Sequence, residues 1–224
     1  MNELFYNTVN PTLKSILHDL MQAKEFMSFR LVGGTSLSLQ IGHRISVDID
    51  LFTDAPYESV DFDAINQYLR SNYDYVSSQK KDVIGFGTSF FVGDSVQNAV
   101  KLDLYYTDEF MFGQKLIDGI RLASIEEIIA MKLCVIGQGG RKKDFWDIHA
   151  VSTEYSFSDM VELYLKRHPY EYSKEEIKVA MQNFNAADVD FEPECLKGNI
   201  WELIKLDIVD WVKKNGNNDR FIFL

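Results

Sequence analysis

Asp48 and Asp50 stand in the run Val47-Asp48-Ile49-Asp50-Leu51-Phe52, and two acids at this spacing leave the same face of a strand. Carboxylates that close repel one another unless a cation lies between them, and hard oxygen donors suit Mg²⁺. An ordinary solvent-facing sheet edge would give the same pattern. Asp103 adds to it: in Val100-Lys101-Leu102-Asp103-Leu104-Tyr105 the apolar residues take one face, and Lys101, Asp103 and Tyr105 take the other. If the two strands are neighbours, three carboxylates can hold two metal ions for an in-line phosphoryl displacement. One ion would activate the nucleophile and the other would clamp a triphosphate.

Other residues could serve the same chemistry. Gly33-Gly34-Thr35 falls between a short strand and a helix, where glycine permits close backbone approach and a helix start offers N–H groups to an anion. Thr35 and Ser36 add hydroxyls, although Gly-Gly also makes a plain tight turn. Arg44 precedes the acid pair and would meet either a phosphate or a surface acid. Lys132 lies within the apolar stripe Ile125, Ile128, Ile129, Leu133 and Ile136. There it either snorkels to solvent or reaches an anionic site between the two halves of the chain. Arg141-Lys142-Lys143 sets three cations before Asp144 and Asp147, acids that share one helical face. Asp144 can also be a simple helix cap, a role harder to assign to Asp147.

The elements that must position these residues are legible as patterns. Asn10-Pro11 starts a helix over 11–26, and Phe29–Val32 is a strand leading to Gly33. The acidic strand follows, then a helix over Ser59–Arg70 and three strand segments, Tyr73–Ser77, Val83–Val92 and Val96–Tyr106. Lys115–Leu122 reads as a hairpin around Asp118-Gly119. From Ser124, paired with Glu127 as a capping box, the chain turns helical. Further helices are expected near 144–152, 158–168, 173–184 and 199–213, the last resting on Ile200, Leu203, Ile204, Ile208 and Trp211. This predicts an α/β domain over 1–123 and a helical domain over 124–224.

Of 224 residues, 46% are hydrophobic and 25% charged, a composition that fits a packed core and excludes disorder, collagen and coiled coil. The 23 basic against 34 acidic residues leave a net charge of −11, which argues against a broad nucleic-acid-binding surface but permits a local cationic rim. Arg44 and Arg141–Lys143 are the candidates for such a rim. Cys134 and Cys195 show no CxxC and no His-paired spacing, and His18, His149 and His168 show no ligand spacing. Neither a disulfide framework nor a zinc site is expected. No signal-peptide pattern and no long apolar run is present, which points to the cytoplasm and to no membrane partner.

Taken in order, Leu31-Val32-Gly33-Gly34-Thr35-Ser36-Leu37, Gly42-His43-Arg44-Ile45-Ser46-Val47-Asp48-Ile49-Asp50, Ala130-Met131-Lys132-Leu133 and Lys143-Asp144-Phe145-Trp146-Asp147 resemble the AbiEii/AbiGii toxin family of nucleotidyltransferases. The resemblance spans residues 31 to 148. It implies an α+β polymerase β-type nucleotidyltransferase fold, a mixed sheet with flanking helices, followed by an α-helical domain that completes the cleft. It also implies a transfer enzyme using an NTP and Mg²⁺, with a two-ion site, releasing pyrophosphate. RNA, particularly tRNA, is an acceptor for some members of such a family, and a cognate antitoxin would be a partner in a type IV toxin–antitoxin or phage-defence system.

Carried over, the resemblance assigns Gly33, Gly34 and Thr35 to the phosphates and Asp48 and Asp50 to the metal; Ser36, Arg44 and Arg141 are further phosphate-binding candidates by their own chemistry. By the same resemblance Lys132 would contact the triphosphate, and Asp144 and Asp147 would be an activating or positioning pair; Asp103, placed by the strand pattern rather than by a family motif, would be a third ligand or base. Lys143 stands where arginine is frequent in the family, and only arginine binds phosphate bidentately. Two alternatives remain open at this level: a catalytically retired module that works by binding a partner, and a transferase acting on a protein or small-molecule hydroxyl.

Overall fold

A computed structural model describes residues 3–78 and 86–216. The chain divides into two compact units, Met1–Ser124 and Ile125–Leu224. The first unit is built on a seven-stranded mixed sheet, with β1 (Arg30–Leu31), β2 (Asp48–Thr53), β3 (Tyr75–Ser78), β4 (Gly87–Gly93), β5 (Val100–Tyr106), β6 (Lys115–Ile117) and β7 (Ile120–Leu122) in the order β3-β4-β5-β2-β1-β7-β6. Its helices are α1 (Pro11–Gln22), α2 (Gly33–Ile41) and α3 (Phe62–Asn72).

Local chemistry explains these boundaries. Asn10 Oδ1 accepts from the Leu13 amide at 2.7 Å with Pro11 at the first helical position, so α1 starts where the cap predicts. It ends at Gln22, and a separate 3₁₀ turn covers Lys24–Phe26, where the sequence pattern suggested one continuous helix. Val96–Asn98 is likewise a 3₁₀ turn, so β5 begins at Val100 rather than Val96. Residues 83–85, read as the start of a strand, lie outside the described residues. Asp118 and Gly119 have φ of 56° and 78°, the left-handed geometry that an Asp-Gly hairpin turn demands.

The β2 burial alternates, with Ile49, Leu51 and Thr53 inside and Asp48, Asp50 and Phe52 half-exposed. Ile49 and Leu51 join Leu102 and Leu104 of β5 and Leu13, Ile16, Leu17 and Leu20 of α1 in one core cluster. The hydrophobic face of the sheet is thereby spent on packing, which leaves the acids together on the other face.

The second unit is helical: α4 (Ile125–Gly137), α5 (Lys142–Val151), α6 (Phe157–Arg167), α7 (Lys174–Ala180), α8 (Asn185–Asp188) and α9 (Trp201–Gly216). Trp146 and Trp201 stack at 6.3 Å with a 9° interplanar angle, and Phe145 packs edge-on against Phe184 at 5.1 Å. The buried stripe of α9 is Trp201, Ile204, Ile208 and Val212, whereas Ile200 and Leu203 are more than half exposed. The expected stripe was therefore rotated about one position, because Trp201 rather than Ile200 anchors the helix. Glu127, read as the capping partner of Ser124, is fully buried and ion-paired with Arg167 at 2.6 Å.

Candidate active site

Strands β2 and β5 are parallel neighbours in a register that pairs Asp48 with Lys101, Asp50 with Asp103 and Phe52 with Tyr105. Paired residues of adjoining strands project to the same side, so the three carboxylates and the Lys101 ammonium form one polar patch. Asp103 is held from two directions: Ser89 Oγ of β4 donates to Oδ1 at 2.6 Å, and Lys101 Nζ donates to Oδ2 at 2.5 Å. Burial works against the Lys101 charge, but the Asp103 bond and the charges of Asp103, Asp48 and Asp50 together hold its pKa above the usual lysine value. A cation is thus favoured at this patch.

Helix α2 starts beside the patch. Gly33 has φ of +66°, and a Cβ there would lie 2.8 Å from Asp50 Oδ2. Only glycine lets the backbone come so near the carboxylate while in the left-handed region. Thr35 is buried and turns its hydroxyl inward, donating to the Asp48 carbonyl and lying 2.8 Å from Ser46 Oγ. Ser36 is also buried, with its Oγ 3.2 Å from Gln40 Nε2. In this conformation both hydroxyls brace the start of β2 and the body of α2. Gly33 and Gly34 remain the half-exposed part of the motif.

The donor set fits a hard divalent cation. All three acids offer oxygen, and each Asp103 oxygen has a further lone pair beyond the hydrogen bond it accepts. The left-handed glycine against Asp50 leaves space that any side chain would fill. Asp48, Asp50 and Asp103 are the residues that could hold such a cation.

In the second unit, Lys132 is 7% exposed and its ammonium lies 2.5 Å from Asp144 Oδ1 and 2.8 Å from Asp147 Oδ2. Lys132 does not snorkel to solvent: two carboxylates of α5, in its own unit, hold its ammonium. Asp144 does two jobs, because its Oδ2 also accepts from the Arg141 amide at 2.9 Å at the start of α5. It is the cap that the sequence allowed and a buried ion-pair partner as well. Asp147 is fully buried.

The expected cationic rim is only partly present. Arg44 is 3% exposed and donates from Nη1 to the Ile45 carbonyl at 3.0 Å, and Lys142 is 6% exposed with its Nζ 5.5 Å from the centre of the Trp201 ring. Arg141 is exposed and Lys143 half-exposed. A count of charges does not foresee the burial of Arg44 and Lys142. Sequence reasoning also missed Ser89; nothing in its own strand marks it, and only the β4–β5 register, which pairs it with Asp103, reveals it.

The seven-stranded mixed sheet with flanking helices is a nucleotidyltransferase fold, shared with solved nucleotidyltransferase structures. Residues 15–195 match the family described as nucleotidyl transferase AbiEii toxin, type IV toxin–antitoxin system, and the chain belongs to that family. It is 30% identical over 146 residues to aq_aa25, an uncharacterized protein of Aquifex aeolicus (strain VF5), a match covering 60% of this chain and 62% of the relative. The chain thus spans less than two thirds of that curated relative's length.

Two solved structures share the fold. JHP933 from Helicobacter pylori has 15% identity and a TM-score of 0.54, over 92% of this chain and 89% of that one. MenT4, a nucleotidyltransferase toxin from Mycobacterium tuberculosis H37Rv, has 14% identity and a TM-score of 0.53, over 90% and 81%. Among the described residues, no helix is long and apolar enough to cross a membrane.

Proposed function

We propose that this protein is an Mg²⁺-dependent nucleotidyltransferase that moves a nucleotidyl group from an NTP to an acceptor hydroxyl, with RNA and foremost tRNA as acceptor. In this reading it is the toxin of a type IV pair and meets a cognate antitoxin. The observation that carries the proposal is the β2–β5 register, which aligns Asp50 with Asp103 on the face that also bears Asp48, next to the left-handed Gly33. Family membership supports the same reading.

In the transfer, the acceptor oxygen forms a bond to the α-phosphorus, the bond from that phosphorus to the β-bridging oxygen breaks, and pyrophosphate leaves. Bound Mg²⁺ would neutralise phosphate charge and align attacking and leaving oxygens. The residues of the chain supply the rest. Asp48, Asp50 and Asp103 hold the cations, Ser89 and Lys101 fix the Asp103 carboxylate, and the backbone at Gly33 and Gly34 approaches the phosphates. Lys132 is the cation assigned to the triphosphate, and Asp144 and Asp147 act by holding its ammonium in place. Any RNA contact would rest on a few cations, so binding would be modest, with a shallow salt dependence.

The test is transfer of label from each α-³²P NTP to cellular RNA and to defined tRNA. Wild-type protein should label an RNA acceptor, and Asp48→Ala or Asp50→Ala should abolish the label while the fold persists. Failure of the wild type to label any RNA pool with any of the four NTPs would overturn the proposal.

A further inference from the structure

Three metal-ligating side chains that the nucleotidyl-transfer reading does not use converge in the second unit. Cys134 comes from α4, His168 caps the C-terminus of α6, and Glu171 follows in the loop before α7. Cys134 Sγ lies 2.9 Å from Glu171 Oε2, and His168 Nδ1 lies 2.8 Å from Glu171 Oε1. One ligand atom from each of the three falls within 4.8 Å of the other two. The sulfur–oxygen contact is as short as an ordinary N–H···O bond although sulfur is the larger atom.

The cluster is held in place by its surroundings. The His168 side chain is 10% exposed and stacks on Tyr164 at 5.4 Å, and its Nε2 is buried without a hydrogen-bond partner. The Tyr172 amide donates to the Tyr164 hydroxyl at 2.8 Å. Gly137 lets the Tyr172 ring lie against the end of α4, where a Cβ would come within 2.6 Å of it. These contacts pin the Glu171 loop between α4 and α6.

We propose that Cys134, His168 and Glu171 form a Zn²⁺ site, with the fourth position open to water. Thiolate, imidazole and carboxylate are the donors zinc takes, at distances that place ligand atoms ~3.5 Å from one another in a tetrahedral site. A thiolate donor also favours Zn²⁺ over the Mg²⁺ that suits the all-oxygen patch of the first unit. On binding, the Cys134 thiol gives its proton to solvent as the zinc–sulfur bond forms, and His168 binds as the neutral imidazole.

Without a metal, the cluster keeps Cys134 as the neutral thiol. Burial, then the hydrogen bond to Glu171 and its negative charge, push the Cys134 thiol up to about 12, against the opposing effects of Arg167 and Gln138. The Glu171 carboxyl is held below its ordinary range, first by the Cys134 hydrogen bond and then by His168 and Arg167, with burial opposing. A carboxylate beside a thiol opposes thiolate formation when nothing lies between them. A divalent cation between the two reverses that effect.

Cobalt titration of the chelator-stripped full chain tests the site, since Co²⁺ replaces Zn²⁺ and reports a thiolate ligand by a charge-transfer band in the near ultraviolet. One equivalent of Co²⁺ should raise the band, Zn²⁺ should abolish it, and excess Mg²⁺ should leave it. Cys134→Ser should lose the band entirely, His168→Ala should weaken cobalt binding at least tenfold, and Asp48→Asn should keep the band. A wild-type chain that shows no band overturns the proposal regardless of how the variants fold. So does cobalt binding that is equal in wild type and a folded Cys134→Ser.

Discussion

Carboxylates crowd together in both units of this chain, under opposite conditions. Asp48, Asp50 and Asp103 stand half-exposed on a sheet face, where Lys101 secures Asp103. Asp144 and Asp147 are buried on one face of α5 with the Lys132 ammonium within 2.8 Å of both. A buried carboxylate must have its counter-charge built into the protein, because desolvation costs several kcal/mol per ion. A half-exposed carboxylate can take a cation from solvent and release it. The difference separates acids left open to a cation from solvent from acids sealed around a lysine of the chain.

Stability measurements can break this comparison. Lys132→Met would leave two buried carboxylates without their ammonium and should lower the unfolding free energy by about 3–5 kcal/mol, read from urea denaturation. A loss below about 1 kcal/mol would show that water reaches the pair. Gly33→Ala places a side chain at φ +66° and 2.8 Å from Asp50 Oδ2, and should cost about 1–2 kcal/mol and reduce nucleotide transfer. Unchanged transfer would remove Gly33 from the site. Asp50→Asn should move the unfolding free energy by no more than about 0.5 kcal/mol, since it removes one of three like charges. A large loss would make Asp50 a structural acid like Asp147.

The smallest expected effect concerns pH. The folded pKa of Lys101 is raised above 10.5, chiefly by Asp103 against the cost of burial. Its stabilising contribution is then fully present below pH 10.5 and is lost as pH rises through the higher folded value. Wild type and Lys101→Met should therefore differ by a constant amount from pH 7 to 9 and converge at more alkaline pH in urea melts. A difference that changes between pH 7 and 9 would contradict the pairing.

Much of this was legible in the sequence. Period-two alternation identified β2 and β5, and with them the face that carries Asp48, Asp50 and Asp103, since every other residue is consumed by the core. The Asn10-Pro11 start and the Asp118-Gly119 turn were legible because their chemistry is local. The destination of Lys132 was not, because its partners lie 12 and 15 positions along, on another helix. Arg44 and Lys142 were misread as rim cations because burial of a long side chain depends on neighbours distant in sequence. The Cys134, His168 and Glu171 cluster escaped for the same reason: its cysteine and histidine sit 34 positions apart, with no motif spacing to join them.

Whether the sheet-face acids are the seat of transfer is tested most directly by pairing activity with folding in one variant. Label transfer from α-³²P NTP to RNA should be measured for wild type and Asp50→Asn across a range of Mg²⁺, with urea melts on the same preparations. Wild type should label RNA in an Mg²⁺-dependent way, and Asp50→Asn should lose at least a hundredfold at unchanged stability. Labelling by Asp50→Asn that matches wild type at every Mg²⁺ concentration would contradict that role for the acids.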